Sequence, residues 1–193
     1  MDEATVVVFA GGGTGGHLYP ALALADALVA LRPDVRPYFV GAERGLEARV
    51  LDEQGREHLL VPVRGVARGE TIANLAVAPA LARSVWEVRR LFRRLDPELV
   101  VVTGGYAGAP AGVMAVLDGI PLALQEQNAV PGMTTKLLAR WARRIYVAFP
   151  EAAGGLPGEA ARRAIHAGSP VRPPEDVDRA DARRAFGLDP GAT

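Results

Sequence analysis

The chain has 193 residues, with 22 basic side chains, 22 acidic side chains and no cysteine. This length accommodates one sizeable α/β domain followed by a tail. A net charge of zero gives no support to a nucleic-acid-binding protein, and the lack of cysteine excludes disulfides and thiolate metal sites. Because no apolar stretch approaches the ~18 residues of a membrane span, we expect a protein that is soluble or peripherally attached to a membrane.

Short apolar runs alternate with longer amphipathic segments, a pattern typical of parallel strands joined by crossover helices. The predicted strands lie near residues 4–10, 35–40, 57–62, 98–103, 121–124, 145–148 and 163–167. The predicted helices lie at residues 18–31, 43–54, 73–95, 109–118, 132–143 and 178–186. Strands such as VVVFA are apolar on both faces, so helices should cover both faces of the sheet. The predicted fold class is α/β, with a doubly wound, Rossmann-like parallel sheet.

Three predicted strands end in unusual sequences, which are GGGTGGH at 11–17, TGGY at 103–106 and QEQN at 125–128. Ligands of open parallel sheets bind at the carboxyl ends of the strands, close to the point where strand order reverses. Glycine lets the backbone approach a ligand closely, and the start of the following helix attracts an anion. The first loop therefore predicts a ligand that carries phosphate.

A dinucleotide site is an alternative, because Gly11, Gly13 and Gly16 satisfy the pattern G-x-G-x-x-G. Glu43 lies near the place of a ribose-binding acid, although it resembles the start of a helix. The protein would then be a nicotinamide-dependent oxidoreductase. A glycine-rich turn without a ligand is disfavoured, because glycine destabilises a fold unless its freedom is used.

Side chains beside these loops are candidates for the chemistry. His17 lies in the first turn of a helix, where the helix dipole disfavours imidazolium, so a neutral ring could accept a proton. The other interpretation is a local capping or packing role. Tyr106 either packs as an ordinary aromatic or lines the cleft. Glu126 and Asn128 either face the same crevice or form a simple turn.

The predicted helix at 73–95 carries a core stripe and an opposite basic face. Spacing places Val77, Leu81, Val85, Val88, Phe92 and Leu95 on the core side. Trp86 lies on the other side among Arg83, Arg89, Arg90, Arg93 and Arg94, and Ile72 and Leu75 join them if the helix extends that far. A solvated face explains the arginines but not an exposed tryptophan, whereas an anionic membrane surface explains both. Lys136, Arg140 and Arg143 form a second basic stripe, and Trp141 is expected on the apolar side of its helix.

No bound metal is predicted. Asp176 and Asp178 form an Asp-x-Asp pair, but they lie in a proline-rich linker where a solvated charge run is the better interpretation.

Four segments together carry a family resemblance: GGGTGGHLYPALALADAL, VVTGGYAGAPAGVMA, LQEQNAVPGMTTKLLAR and AGSPVR. In this order and spacing they resemble the N-terminal half of the MurG family of bacterial N-acetylglucosaminyltransferases, over about residues 4–172. The chain departs from the family pattern at Gln125, where a histidine is usual, and at Ser169, where an asparagine is usual.

The resemblance implies one half of a two-domain GT-B fold. Residues 1–167 would be the acceptor-binding domain, and 168–193 a hinge leading to a donor-binding domain that this chain lacks, so the chain alone should be inactive. The reaction would move N-acetylglucosamine from UDP-GlcNAc to the 4-hydroxyl of the N-acetylmuramic acid of lipid I, giving lipid II with inversion. No cofactor and no nucleic acid are implied, and the location would be peripheral, on the cytoplasmic face of the bacterial inner membrane. The alternative is a non-catalytic lipid-docking module that recruits a separate donor-binding chain.

The resemblance also implies roles for individual residues. His17 is the leading candidate base, with Tyr106 and Glu126 as lesser candidates. The donor side would comprise Thr14, Gly15, Gly16, Asn128 and Arg172. The acceptor pyrophosphate would be cradled by Gly13, Thr14, Gly104 and Gly105.

Overall fold

A computed structural model describes residues 4–63, 65, 77–172 and 178–189. Its strands are β1 (Thr5–Gly11), β2 (Val35–Ala42), β3 (His58–Val61), β4 (Leu99–Gly104), β5 (Leu122–Glu126), β6 (Arg144–Val147) and β7 (Ala164–His166). All pair in parallel, in the order β3-β2-β1-β4-β5-β6-β7. The predicted doubly wound sheet is confirmed, and strand order reverses between β1 and β4.

The helices are α1 (Gly15–Leu31), α2 (Leu46–Glu53), α3 (Val77–Leu95), α4 (Gly108–Leu117), α5 (Met133–Leu138), α6 (Glu151–Gly154) and α7 (Arg179–Ala185), with a 3-10 helix at Gly158–Arg163. The short α6 and the 3-10 helix were not predicted. Residues 73–76 of the predicted third helix lie outside the described residues. The prediction of a helix to residue 143 was wrong, because α5 ends at Leu138. The guanidinium of Arg163 donates to the carbonyls of Ala139 and Ala142 just beyond it, a long-range contact that sequence spacing does not reveal.

Two apolar cores lie on opposite faces of the sheet because successive strand residues point to opposite sides. Val7 and Phe9 of β1 pack toward α1 and α2, and the Phe9 ring stacks on the ring of Phe39 at 5.8 Å between centroids. Val8 and Ala10 pack in the core that contains residues of α3, α4 and α5. On the first face, a groove of about 490 Å³ extends over β4, β5 and β6.

The buried face of α3 differs from the predicted stripe. Val88 and Phe92 are buried as expected, but Leu81 is 39% exposed. Ser84 is buried in its place, and its hydroxyl donates to the carbonyl of Ala80. The polar side chain is tolerated inside because its hydrogen bond is made within its own helix.

Candidate functional site

The loops after β1, β4 and β5 lie side by side because these three strands are neighbours in the sheet. Direct contacts join them: the Thr103 hydroxyl donates to the carbonyl of His17 at 2.7 Å, and the Thr134 hydroxyl donates to the carbonyl of Gly105 at 2.8 Å. The structure therefore brings the three polar segments together at the switch point, where open α/β sheets bind ligands.

The start of α1 is the open part of the first glycine loop. Thr14 is the N-cap residue in extended conformation, and its side chain makes no cap hydrogen bond. No acidic residue lies in the first turn of α1, and both Thr14 and Gly16 are exposed. The first amides of a helix have no partner within it, so the N–H groups of Gly15 and Gly16 are available to an anion.

His17 is held in one tautomer by its neighbours. Its Nδ1 lies 2.9 Å from the carbonyl oxygen of Thr103 and 3.3 Å from Oε1 of Gln127. Both atoms are acceptors, so Nδ1 carries the proton and Nε2 keeps its lone pair. The amide of Gln127 is itself oriented, because its Nε2 donates to the carbonyl of Gln125 at 3.2 Å. The half-buried ring is thus held in one orientation, and Nε2 makes no hydrogen bond to the residues that the structure describes.

The second glycine loop is filled by the imidazole of His17. A Cβ atom on Gly104 would lie 2.9 Å from Nδ1 of His17, and one on Gly105 would lie 2.0 Å from the carbonyl oxygen of Gly12. Gly104 is buried and Gly105 is half-buried. The expectation that Gly104 cradles a pyrophosphate does not fit this burial, because the protein's own ring occupies that space.

Gly13 is enclosed as well. Its N–H donates to Oε1 of Glu47 at 2.5 Å, and a Cβ on Gly13 would lie 2.3 Å from the ring of Tyr106. The amide of Gly13 is therefore occupied, which does not fit its expected contact with a pyrophosphate. Burial, and secondly the charge of Glu47, raise the pKa of Tyr106 above its ordinary value, so its phenol stays protonated at neutral pH.

Glu126 does not face the crevice, contrary to expectation. It is 1% exposed, and its carboxylate accepts hydrogen bonds from the backbone and side chain of Asn128, the N–H of Gly132 and the hydroxyl of Thr135, at 2.6–3.0 Å. Asn128 is exposed at the rim. The carboxylate shapes the loop after β5 and presents Asn128 instead of reaching a ligand.

Gln127 was not singled out from the sequence, but it is the side chain of the QEQN segment that faces the crevice and contacts His17. Along a strand, alternate residues point to opposite faces. Glu126 therefore points toward α5, whereas Gln127 reaches His17 and Gln125 donates to the carbonyl of Gly168. This alternation within QEQN was the available signal.

Arg172 lies at the far side of a pocket of about 530 Å³. The pocket is lined by Gly15, Gly16, Tyr19, Gln127 and segment 169–172, among others. The guanidinium pairs with Asp26 of α1 at 3.0 Å and donates to Gln54 at 3.1 Å. These contacts hold segment 169–172 against α1 and the residue that follows α2.

The basic face of α3 exposes an aromatic side chain. Trp86 is 55% exposed, and the guanidinium of Arg90 lies 4.9 Å from the centroid of its ring. Arg83 pairs with Glu87 at 2.8 Å, while Arg89 and Arg93 are exposed. Ile72 and Leu75 lie outside the described residues. No helix within the described ranges is long and apolar enough to span a membrane.

The segment around α5 has an exposed apolar stripe that the sequence analysis missed. Trp141 was expected on the apolar side of its helix but is 48% exposed, with the Arg140 guanidinium 4.8 Å from its ring centroid. Met133 and Leu137 are also exposed, and Lys136 lies between them in sequence. Arg143 lines the groove on the first face of the sheet, so it belongs to a different surface from this stripe.

Among the residues that the structure describes, no three histidine or acidic side chains lie together as metal ligands. Asp178 is the N-cap of α7 and accepts the N–H groups of Ala180 and Asp181. Asp176 lies outside the described residues.

The fold and the candidate site together define a doubly wound α/β domain with an open helix start and an oriented imidazole at its switch point. Residues 7–147 match the glycosyltransferase family 28 N-terminal domain. The chain belongs to this family, in keeping with the leading interpretation of the sequence instead of the oxidoreductase alternative.

Known relatives agree with the family. The chain is 41% identical over 193 residues to UDP-N-acetylglucosamine--N-acetylmuramyl-(pentapeptide) pyrophosphoryl-undecaprenol N-acetylglucosamine transferase of Bacteroides fragilis, covering 98% of the chain and 50% of that protein. It is 43% identical over 183 residues to the protein of the same name from Desulforudis audaxviator, covering 94% and 48%. The crystal structure of Acinetobacter baumannii MurG matches with a TM-score of 0.69 and 28% identity, covering 90% of this chain and 47% of that one. The resemblance to the MurG family is confirmed, and the chain spans about half the length of the curated relatives it matches.

Proposed function

We propose that the chain is the acceptor-binding half of an N-acetylglucosaminyltransferase that converts lipid I into lipid II, using UDP-GlcNAc as donor. The observation that carries this proposal is the imidazole of His17, which is oriented through Nδ1 beside the open start of α1 and whose Nε2 has no hydrogen-bond partner among the described residues. The names of the relatives supply the substrates. In this proposal residues 1–167 bind the acceptor, and 168–193 form a hinge to a donor-binding half.

The proposed chemistry is an inverting displacement. Nε2 of His17 accepts the proton of the muramyl 4-hydroxyl as that oxygen attacks the anomeric carbon of the donor. The new C–O bond forms as the bond from the anomeric carbon to the phosphate oxygen breaks, and UDP leaves. The contacts of Nδ1 with Thr103 and Gln127 stabilise the imidazolium that forms, since they accept its N–H.

The substrates would divide the open surface between them. Thr14 and the amides that follow it would hold the acceptor pyrophosphate, with Gly105 at the edge. Gly15 and Gly16 also line the 530 Å³ pocket, where they would approach the donor together with Asn128. Arg172 would complete the donor contacts from the hinge after leaving Asp26. Tyr106 and Glu126 would act by packing and positioning, since neither presents a free base.

The chain would dock on anionic lipid at the cytoplasmic face of the membrane. Two exposed tryptophans, Trp86 and Trp141, each carry a stacked arginine. Indole rings partition to a membrane interface, and each nearby cationic side chain contributes about 1 kcal/mol of attraction to anionic lipid.

Two experiments test the site. First, the chain is titrated with a soluble lipid I analogue and, separately, with UDP-GlcNAc; measurable acceptor binding and weak or absent donor binding are expected. Second, His17→Asn is assayed in the complete two-domain enzyme. Asparagine keeps an N–H for Thr103 but has no counterpart of Nε2, so transfer should fall by about 10²–10⁴. His58→Asn, at a histidine on β3, is the control. Unchanged transfer by His17→Asn would show that Nε2 of His17 is not the base of the proposed reaction.

A third experiment tests docking. Cosedimentation with vesicles of anionic lipid is compared for the chain and for a variant with Trp86→Ala and glutamine at positions 89, 90 and 93. Loss of binding is expected for the variant, and binding should fall with added salt. A variant with glutamine at Arg32 and Arg36, which form surface ion pairs elsewhere, is the matched control. Undiminished cosedimentation of the Trp86 variant would reject this docking surface.

A further inference from the structure

A buried carboxylate lies beneath the first glycine loop. Glu47, in the first turn of α2, is 0% exposed. Its Oε1 accepts the N–H of Gly13 at 2.5 Å, whereas its Oε2 has no hydrogen-bond partner among the residues the structure describes. An incompletely paired carboxylate is costly to bury.

Three glycines create the space for this carboxylate. A Cβ atom on Gly12 would lie 2.2 Å from Oε1, one on Gly45 would lie 1.6 Å from Oε2, and one on Gly41 would lie 2.7 Å from Cβ of Glu47. These glycines belong to the loop after β1, the loop after β2 and β2 itself. The side chain of Glu47 therefore lies between two strand-end loops that flank the candidate site.

The contact divides the first loop into two parts. Gly13 has a φ of +91°, a left-handed conformation that glycine adopts without strain, and its N–H points to Glu47. The next residue, Thr14, is extended, and α1 begins at Gly15. The carboxylate thus accepts the hydrogen bond of the last amide that points inward before the loop opens to solvent.

We propose that Glu47 is a positioning residue, an internal anion that holds residues 11–13 against the protein so that Thr14, Gly15 and Gly16 face the ligand. The inference deepens the proposed function, because the ligand is the diphosphate of that same site. The side chain has two opposing effects on an anion there: its hydrogen bond fixes the loop, and its negative charge repels the ligand. Two substitutions separate the effects.

The probe is inorganic pyrophosphate, titrated into the chain and followed by amide NMR. Glu47→Gln keeps an oxygen that can accept the N–H of Gly13 and removes the charge, so it should bind pyrophosphate at least as tightly as the original chain. Glu47→Ala removes the acceptor, so the loop loses its support and binding should weaken about 10-fold or more. Glu53→Ala, at a 64% exposed side chain of the same helix, is the control and should change nothing.

A second readout keeps the inference testable if Glu47→Ala does not fold. A charge-assisted hydrogen bond shifts an amide proton downfield, so Gly13 should give the most downfield glycine amide signal of the loop, and Glu47→Gln should move it upfield. If Gly13 does not move, or if Glu47→Ala folds and binds as tightly as Glu47→Gln, Glu47 does not position the loop. If Gly13 moves as expected while neither pyrophosphate nor the lipid I analogue binds the original chain, the inference about Glu47 holds and the proposed function fails.

Discussion

Replacing Glu126 by glutamine tests whether this carboxylate is a structural element or an available base. Its two oxygens accept four hydrogen bonds, and no part of the group is open to solvent or substrate. In Glu126→Gln, the amide oxygen can still serve Asn128. The amide nitrogen, however, is then directed at the N–H of Gly132, and two donors cannot bond to each other.

The expected cost follows from these contacts. Hydrogen bonds to a charged acceptor contribute about 1.5–3 kcal/mol each, against about 1 kcal/mol for neutral pairs. In the variant, the two hydrogen bonds from Asn128 are weaker and the hydrogen bond from Gly132 is lost. The bond to Thr135 is kept, because its hydroxyl can rotate and accept a hydrogen from the new amide nitrogen. We therefore expect a loss of about 3 kcal/mol in the free energy of unfolding. For a chain of this size, that loss lowers Tm by roughly 6–12 °C.

Urea denaturation followed by circular dichroism measures this loss, with a thermal scan as a second readout. Glu159→Gln is the matched control, because the Glu159 side chain is 78% exposed and should change stability by less than about 0.5 kcal/mol. If Glu126→Gln unfolds at the same urea concentration as the original chain, the carboxylate is not held as described. It would then return to the list of candidate bases.

Two further predictions concern the strand-end loops. Gly105→Ala should destabilise the chain by more than about 2 kcal/mol in urea denaturation, because its left-handed φ of +69° is combined with a clash against the carbonyl of Gly12. Gly119 is the control, because it has a similar φ of +72° but nothing lies within 4 Å of the Cβ that alanine would add. Gly119→Ala should therefore lower the free energy of unfolding by only about 1 kcal/mol. If Gly105→Ala and Gly119→Ala lower it equally, the loops after β1 and β4 are not closely packed. Because the pKa of Tyr106 is raised in the folded chain, its neutral phenol adds to the free energy of unfolding. This contribution is fully present below pH ~10, and it is lost as the pH rises through the folded-state pKa. This pKa is measured by ultraviolet titration, with Tyr106→Phe as the reference. Glu47→Gln should lower the pKa of Tyr106 but leave it above the ordinary value, because burial is the larger cause and remains. An unchanged pKa would show that the charge of Glu47 does not affect the ring.

Much of the fold could be predicted because the decisive forces are local in sequence. The fully apolar run of β1 predicts a strand buried on both faces. The alanine- and leucine-rich stretch that follows the first glycine loop predicts a helix from residue 18, and α1 begins slightly earlier, at Gly15. The end of α5 was different. There Arg163, far along the chain, bonds the carbonyls beyond Leu138, and no spacing rule within the helix shows such a partner.

The residue pattern alone predicts the strands, the three polar loops at strand ends, and the family. These depend on side-chain periodicity and on residue types that suit one backbone conformation. Which groups stay open to a ligand depends instead on contacts between distant parts of the chain. Gly13 is occupied by Glu47, Gly104 is covered by His17, and Glu126 turns inward to Thr135, whereas Thr14 stays exposed. The physical reason is that a buried polar group must find a partner, and that partner is chosen by proximity in space instead of order along the chain.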